Sequence, residues 1–317
     1  MNVMLDVTKL SKDALVVIGK THDNLDELYE IAKILECSWF NMVLSERDEL
    51  NDTLINYLLE HESESVYNNL AKKHVNSDSE KVLVNCKNPY VLKLLSENVK
   101  TSGIILDELA HKGYKIMVAA NPSALPSTLD WILTDVNVLF EKCLLEKHCI
   151  DEGLVKILIA IAANPSASEK TLERLACWEI PNKLGLRENV NLSDSDYVYE
   201  LSRSDELKKL SNKTNLTAEA LIQILVIANE LKIKVASNPS ISEETMWNLK
   251  NWVVALDNIE LLISLLENPN VNGYILASVL MAFLVYDKER KFEAVVTSKV
   301  SNRINKYLKE KSANMTK

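Results

Sequence analysis

Three stretches decide the fold: IMVAANPSALPSTLDWIL at Ile116–Leu133, IAIAANPSASEKTLERLA at Ile159–Ala176 and IKVASNPSISEETMWNLK at Ile233–Lys250. All three align on an Asn-Pro pair, and a looser fourth copy, ISLLENPNVNGYILASVL, covers Ile263–Leu280. Five of the seven prolines follow an asparagine, namely Pro89, Pro122, Pro165, Pro239 and Pro269. Weaker relatives begin around Asn88, Asn98, Asn189 and Asn215. Anchors at Asn98, Asn121, Asn164, Asn189, Asn215, Asn238 and Asn268 are separated by 23, 43, 25, 26, 23 and 30 residues. The unit is therefore about 23–26 residues with one doubled or inserted unit, a period that marks a solenoid.

The register carries the physics. Five residues before the anchor stand Ile116, Ile159, Ile233 and Ile263, and three before it Val118, Ile161, Val235 and Leu265. Eight residues after it come Leu106, Leu129, Leu172, Met246 and Leu276; eleven after it come Leu109, Ile132, Leu175, Leu249 and Val279. Offsets of eight and eleven fall on one face of a helix, so that face is the expected core. Ala119, Ala162 and Ala236, two before the anchor, suit a close approach of neighbouring backbones. Proline disfavours the α conformation for the residue before it, so a short helix must stop at Asn, while Pro itself suits the start of the next turn. SASE (Ser166 to Glu169) and SISE (Ser240 to Glu243) have capping-box spacing or mark a turn before the main helix. Each unit reads as a short segment, a turn and an amphipathic helix.

Outside the copies, Leu25, Leu28, Ile31, Ala32 and Leu35 form one apolar stripe, and Leu54, Ile55, Leu58 and Leu59 another. Residues 1–75 are expected to form an acidic helical N-terminal cap, residues 76–286 the repeats, and residues 287–317 a basic capping helix and tail. Sustained period-two alternation is missing, so strands are not expected and the fold class is all-α.

Composition narrows the chemistry. Only 6 of 317 residues are glycine, and no two lie closer than Gly103 and Gly113. That spacing excludes GxGxxG, the GxxxxGK phosphate loop and GxSxG, each of which needs glycines close together. The net charge is −9 and segregated: residues 1–64 hold five basic and fourteen acidic side chains, and residues 287–317 nine basic and four acidic. A body this acidic disfavours general phosphate-backbone binding. Cys37, Cys86, Cys143, Cys149 and Cys177 are scattered without a CxxC, as reduced, core thiols of a cytoplasmic protein are. The longest apolar run, Tyr274 to Tyr286, is shorter than the roughly 20 residues a membrane span needs.

The copies around Asn121, Asn164 and Asn238 resemble the variant leucine-rich repeat, a bacterial repeat built on a VAxNPxxPxxxLxxLA-like pattern. The resemblance covers about residues 88–280. It implies a right-handed superhelix, an α-solenoid, with the IMVAA, IAIAA and IKVAS segments on its shorter helices. Only Leu125-Pro126 supplies the pattern's second proline. A founding member carries an iron–sulfur cluster on an N-terminal Cys cluster, which this chain does not have, so no cofactor is expected. HEAT-like helical repeats are the neighbouring alternative.

Catalytic and metal readings find little. Glu108-x-x-His111 has the spacing of one half of a di-iron carboxylate site without the second half, and Cys143, His148 and Cys149 lack a second Cys pair. No catalytic residue and no metal ligand set is assigned. Trp131 and Trp247 stand ten and nine residues after their anchors, where other copies hold polar side chains such as Asp130, Glu173, Arg174 and Asn248. With Trp178 and Trp252 near helix ends they are the candidate partner contacts, since tryptophan dominates interface hot spots; packing against the next layer is the competing reading. Lys288, Arg290, Lys291, Arg303 and Lys306 are candidate nucleic-acid contacts. The leading expectation is a non-enzymatic scaffold that binds a protein or peptide. The alternative is a nucleic-acid-binding HEAT-like repeat protein resembling the HEAT-like DNA glycosylases.

Overall fold

The structure, a computed structural model, describes residues 7–147 except 62 and 74, residues 150–184, 216–256 and 259–275, and the single positions 186, 208, 209, 211, 214 and 278. Those residues are helical, with no strand among them. The chain divides into two compact units at Thr128/Leu129, whereas the sequence reading placed boundaries at 75/76 and 286/287. Residues 287–317 lie outside the described residues.

The N-terminal unit consists of helix pairs. A single 3-10 turn at Val7–Lys9 precedes α1 (Lys12–Thr21), α2 (Leu25–Leu35), α3 (Ser38–Ser45), α4 (Asp52–Glu60), α5 (Glu64–Leu70), α6 (Ser77–Asn85), α7 (Pro89–Glu97), α8 (Gly103–His111) and α9 (Lys115–Ala120). α10 (Pro126–Lys142) begins where this unit ends. Each odd-numbered helix packs on the next odd one, and α2, α4, α6 and α8 pack successively in the same way. Two rows result. The pairing starts at α1, so residues 12–75, which lack Asn-Pro, repeat with the same spacing as the residues that follow.

The even helices start at polar caps that also reach back one layer. Asn51 accepts from Leu54 N and donates to Asp26 Oδ1; Asn76 accepts from Ser79 N and donates to Asp52 Oδ1. Such caps satisfy N–H groups that the first turn leaves without intrahelical partners. Glu80, 3% exposed, occupies a position that is leucine in most other layers. Its carboxylate accepts from the backbone N–H and hydroxyl of Ser102, the cap of α8.

Buried and half-buried side chains at the ends of the odd helices tie successive layers together. Asn98 Nδ2 donates to Ala71 O (3.0 Å) and Lys73 O (2.7 Å), and Asn121 Nδ2 to Ser96 O (3.0 Å) and Asn98 O (2.9 Å). Arg47 and Lys73 do the same work in the first layers. The Arg47 guanidinium donates to Gly19 O and His22 O, and the Lys73 amine to Glu46 O and Arg47 O. Burial pushes the Lys73 amine below its ordinary value, against the pull of Asp48 and Glu46.

In the C-terminal unit α10 is followed by a π turn at Cys143–Lys147, then α11 (Glu152–Ala163), α12 (Glu169–Ala176), α13 (Ile180–Leu184), α14 (Ala218–Ser237), α15 (Glu243–Leu256) and α16 (Ile259–Glu267). One row runs α11, α14, α16, and α12 packs on α15 beside it. Asn238 Nδ2 donates to Ala162 O and Asn164 O, both at 2.8 Å, and Asn268 Nδ2 to Ala236 O (2.7 Å) and Asn238 O (2.8 Å). The layer beneath Asn238 is thus that of Asn164. Asn189 and Asn215, counted as anchors from the sequence, lie outside the described residues.

The two residues after each anchor are explained by the same stacking. The anchor Oδ1 accepts from the N–H two residues on, at Ser123, Ser166, Ser240 and Asn270. Ser123 then donates its hydroxyl to Val99 O, Ser240 donates its hydroxyl to Pro165 O, and the Asn270 amide donates to Pro239 O. Ser166 therefore belongs to this turn, and α12 is capped by Ser168, whose hydroxyl accepts from Thr171 N.

The inward positions agree with the register. Leu106, Leu109, Leu129, Ile132, Leu172, Leu175 and Leu249 are 0% exposed and Met246 is 1% exposed; Leu276 and Val279 lie outside the described residues. The isoleucines five before the anchor depart from a core role. Ile116 is 40% exposed, and Ile159, Ile233 and Ile263 are half-buried. The buried stripe instead runs through positions such as Leu158 and Leu262, six before the anchor and one turn behind Ile161 and Leu265.

Asn121→Ala removes two donors from carbonyls inside the stack, and each buried group left unpaired costs about 1–3 kcal/mol. Urea unfolding should show a loss of about 3 kcal/mol, while Pro122→Ala should change stability by less than about 1 kcal/mol, because Asn98 makes the same bonds with Val99 after it.

Candidate functional site

On the helix that follows each anchor, the positions nine and ten after it face away from the buried stripe. In the C-terminal unit they hold Asp130 and Trp131 on α10, Glu173 and Arg174 on α12, and Trp247 and Asn248 on α15. None of the six is buried. Arg174 donates to Asp130 Oδ1 at 2.6 Å and to Thr134 Oγ1 at 3.2 Å, joining α12 to α10. Beside this pair lies a cleft of 490 Å³ lined by α10, α12, α13 and the turn between the last two. Its apolar lining is Val138, Trp178 and Ile180, with Glu141, Glu173, Glu179, Arg174 and Lys183 around it. Lys183 bonds to Glu141 and stands 3.8 Å from Glu179. Donation to the Glu141 carboxylate favours the charged ammonium and, with Glu179 nearby, raises the Lys183 pKa above its ordinary value.

The four tryptophans separate. Trp178, expected as a partner contact, is 3% exposed. Its Nε1 donates to Asn137 Oδ1 at 3.0 Å and its ring meets Phe140 edge-on, with centroids 5.1 Å apart. It is a packing residue that joins the α12–α13 turn to α10, because α10 runs on past the length of α2, α4, α6, α8 and α12 and offers it a wall. Trp131 is half-buried. Trp247 is half-buried and lies 5.6 Å from the ring of Tyr274, which is 72% exposed. Trp252 belongs to α15, and its side chain lies outside the described ones. Lys288, Arg290, Lys291, Arg303 and Lys306 also lie outside the described residues.

Sequence reasoning missed three exposed side chains of the C-terminal unit. Val138, 62% exposed, and Leu145, 72% exposed, lie seven residues apart on the extension of α10 and its π turn. Tyr274 was hidden because its partner ring is 27 residues earlier in the chain. The signal available for α10 was its apolar run without a stop at the usual length.

Other chemistry was tested against the geometry. His111 stands 3.9 Å from Asp107, while Glu108 pairs with Lys112 at 3.1 Å, so these two side chains of the Glu-x-x-His spacing turn to different partners. His148 and Cys149 lie outside the described residues, and among those described no three His, Cys, Asp or Glu side chains converge as a metal site. The thiols are less enclosed than a core role requires: Cys177 is exposed, and Cys37, Cys86 and Cys143 are half-buried. Cys86 borders a larger cleft of 730 Å³ with Glu64, Tyr67, Lys81 and Lys87. Burial pushes its thiol pKa up, which makes it a poor nucleophile at neutral pH. No helix of the described residues is long and apolar enough to cross a membrane.

No protein-family model, no curated protein and no solved structure matches the chain.

The separation of the tryptophans is measurable. Trp178→Ala should lower stability by about 3–5 kcal/mol in urea unfolding, as truncation of a buried aromatic does, whereas Trp247→Ala should cost no more than about 1.5 kcal/mol for a lost ring pair.

Proposed function

We propose that the chain is a non-enzymatic scaffold of the cytoplasm that binds a protein or peptide through the outward side of the helices that follow its anchors. On this reading the stacked helix pairs are turns of a right-handed α-solenoid of the variant leucine-rich repeat kind. Stacked repeats present extended surfaces in which each layer contributes one or two outward side chains. A single observation carries the reading. One pair of register positions, held outward by a regular stack, collects Asp130, Trp131, Glu173, Arg174, Trp247 and Asn248 within the C-terminal unit. Tryptophan and arginine are the side chains that dominate interface energies, which supports a contact role for this face.

Affinity capture with the full chain tests the proposal. Wild type should retain partners that Trp131→Ala and Trp247→Ala each deplete at least fivefold, with unfolding midpoints recorded to exclude loss of fold. Equal retention by both variants removes this face as the binding surface. The segregated basic residues beyond position 286 supply the competing reading. A DNA shift at low salt that disappears when the chain ends at Tyr286 would replace the scaffold with a nucleic-acid-binding protein.

A further inference from the structure

The scaffold reading leaves open what the face recognises, and its charge and shape narrow the answer. Asp130 with Glu141, Glu173 and Glu179 makes four carboxylates, against the two cations Arg174 and Lys183. Arg174 is engaged by Asp130, and the one Lys183 is shared by Glu141 and Glu179. Glu173 has no ion pair among the described residues, and its carboxylate borders the cleft. Of the three apolar residues that line the cleft, Val138 is 62% exposed, while Trp178 and Ile180 are buried, so Val138 is the apolar contact the cleft offers.

The aromatic pair continues the same surface. Glu173 on α12 and Trp247 on α15 hold the same register position on helices that pack together. Packed helix axes lie about 8–10 Å apart, so the carboxylate and the indole are one layer apart. Trp247 is braced by Tyr274, whose ring is 72% exposed. Tryptophan and tyrosine faces attract guanidinium and ammonium groups. A cleft with one exposed valine, a carboxylate with no ion pair among the described residues and a half-buried indole braced by an exposed tyrosine therefore follow one another across three helices.

We infer, building on the scaffold reading, that this face of the C-terminal unit docks an extended segment of a partner protein that carries one apolar side chain followed by two cationic ones. The apolar side chain enters the cleft against Val138. The first cation pairs with Glu173 and the second lies over the Trp247–Tyr274 rings. In an extended peptide, alternate side chains share a face about 6.7 Å apart, which with the reach of arginine spans one helix layer.

The test uses the full chain and a fluorescein-labelled seven-residue peptide with leucine second, arginine fourth and sixth, and serine elsewhere. Fluorescence anisotropy should show saturable binding that weakens at least tenfold in Glu173→Lys and about fivefold in Tyr274→Ala. Glu30→Lys, a charge change in the N-terminal unit, should alter affinity less than twofold, and a peptide with glutamate in place of arginine should not bind. Circular dichroism melts check that the variants remain folded. Equal binding of the basic and acidic peptides, or equal weakening by Glu173→Lys and Glu30→Lys, overturns the inference. If Glu173→Lys leaves peptide affinity unchanged while Trp131→Ala still depletes captured partners, this inference fails and the scaffold reading stands.

Discussion

Every layer of this protein ends in the same electrostatic problem. A helix that stops leaves its last carbonyls without intrahelical donors, and here those carbonyls sit inside a stack where water cannot replace the missing bonds. The next layer supplies the donors. Asn121 serves the carbonyls of Ser96 and Asn98 with one amide, and Asn238 serves those of Ala162 and Asn164 likewise. The bond that finishes one helix is therefore made only when the following layer is in place. Termination and stacking become one event, and a helix pair taken alone would expose both the unpaired carbonyls and half of its apolar stripe.

The residue types at the anchor follow from this demand more than from any preference for a turn. Two donors must reach two nearby carbonyls from a residue whose own backbone is extended; Asn98, Asn121, Asn164 and Asn238 have φ between −81° and −73°. Asparagine does this with a short amide and keeps its oxygen for the N–H two residues on. Arg47 and Lys73 do it with longer cations, at the expense of placing charge in a partly buried position. This is why the repeat was legible from Asn88 onward and invisible before it. A pattern search on Asn-Pro finds the asparagine solution, whereas what is repeated is a donor geometry that three residue types can meet. The spacing was misleading for a related reason. The ladder needs the right carbonyls beneath it and is indifferent to the 74 residues between Asn164 and Asn238.

Inward positions were read well where a single helical face decides them, as with Leu129 and Ile132 or Leu172 and Leu175. The isoleucines five before the anchor were harder, because a single residue, a rotation of about 100° around the helix axis, separates the buried stripe from its flank. The candidate site was legible in part. Polar usage nine and ten residues after the anchor identified an outward face, and Trp247 does stand there with an exposed ring beside it. Trp178 could not be placed from sequence, since its burial depends on Asn137 and Phe140 about forty residues earlier and on the added length of α10. The pairing of Arg174 with Asp130 needed the same knowledge, that α10 and α12 are neighbours across 44 residues.

Insulation of the outward positions from the stacking bonds is what leaves their residue types free to vary. At the register position of Glu173, α4, α6, α8, α10, α12 and α15 hold Asn56, Lys81, Asp107, Asp130, Glu173 and Trp247: an amide, an amine, three carboxylates and an indole. Two residues on, across the helix, they hold Leu58, Leu83, Leu109, Ile132, Leu175 and Leu249, each buried at 0% exposure. Uniform volume is demanded where layers interlock, because a void or an oversized side chain there would shift the carbonyls that the next anchor must reach. No such demand acts one face away. The chemistry of that face is therefore not fixed by the stack, and in the C-terminal unit it consists of carboxylates in excess of cations, a cleft with an exposed valine and an aromatic pair.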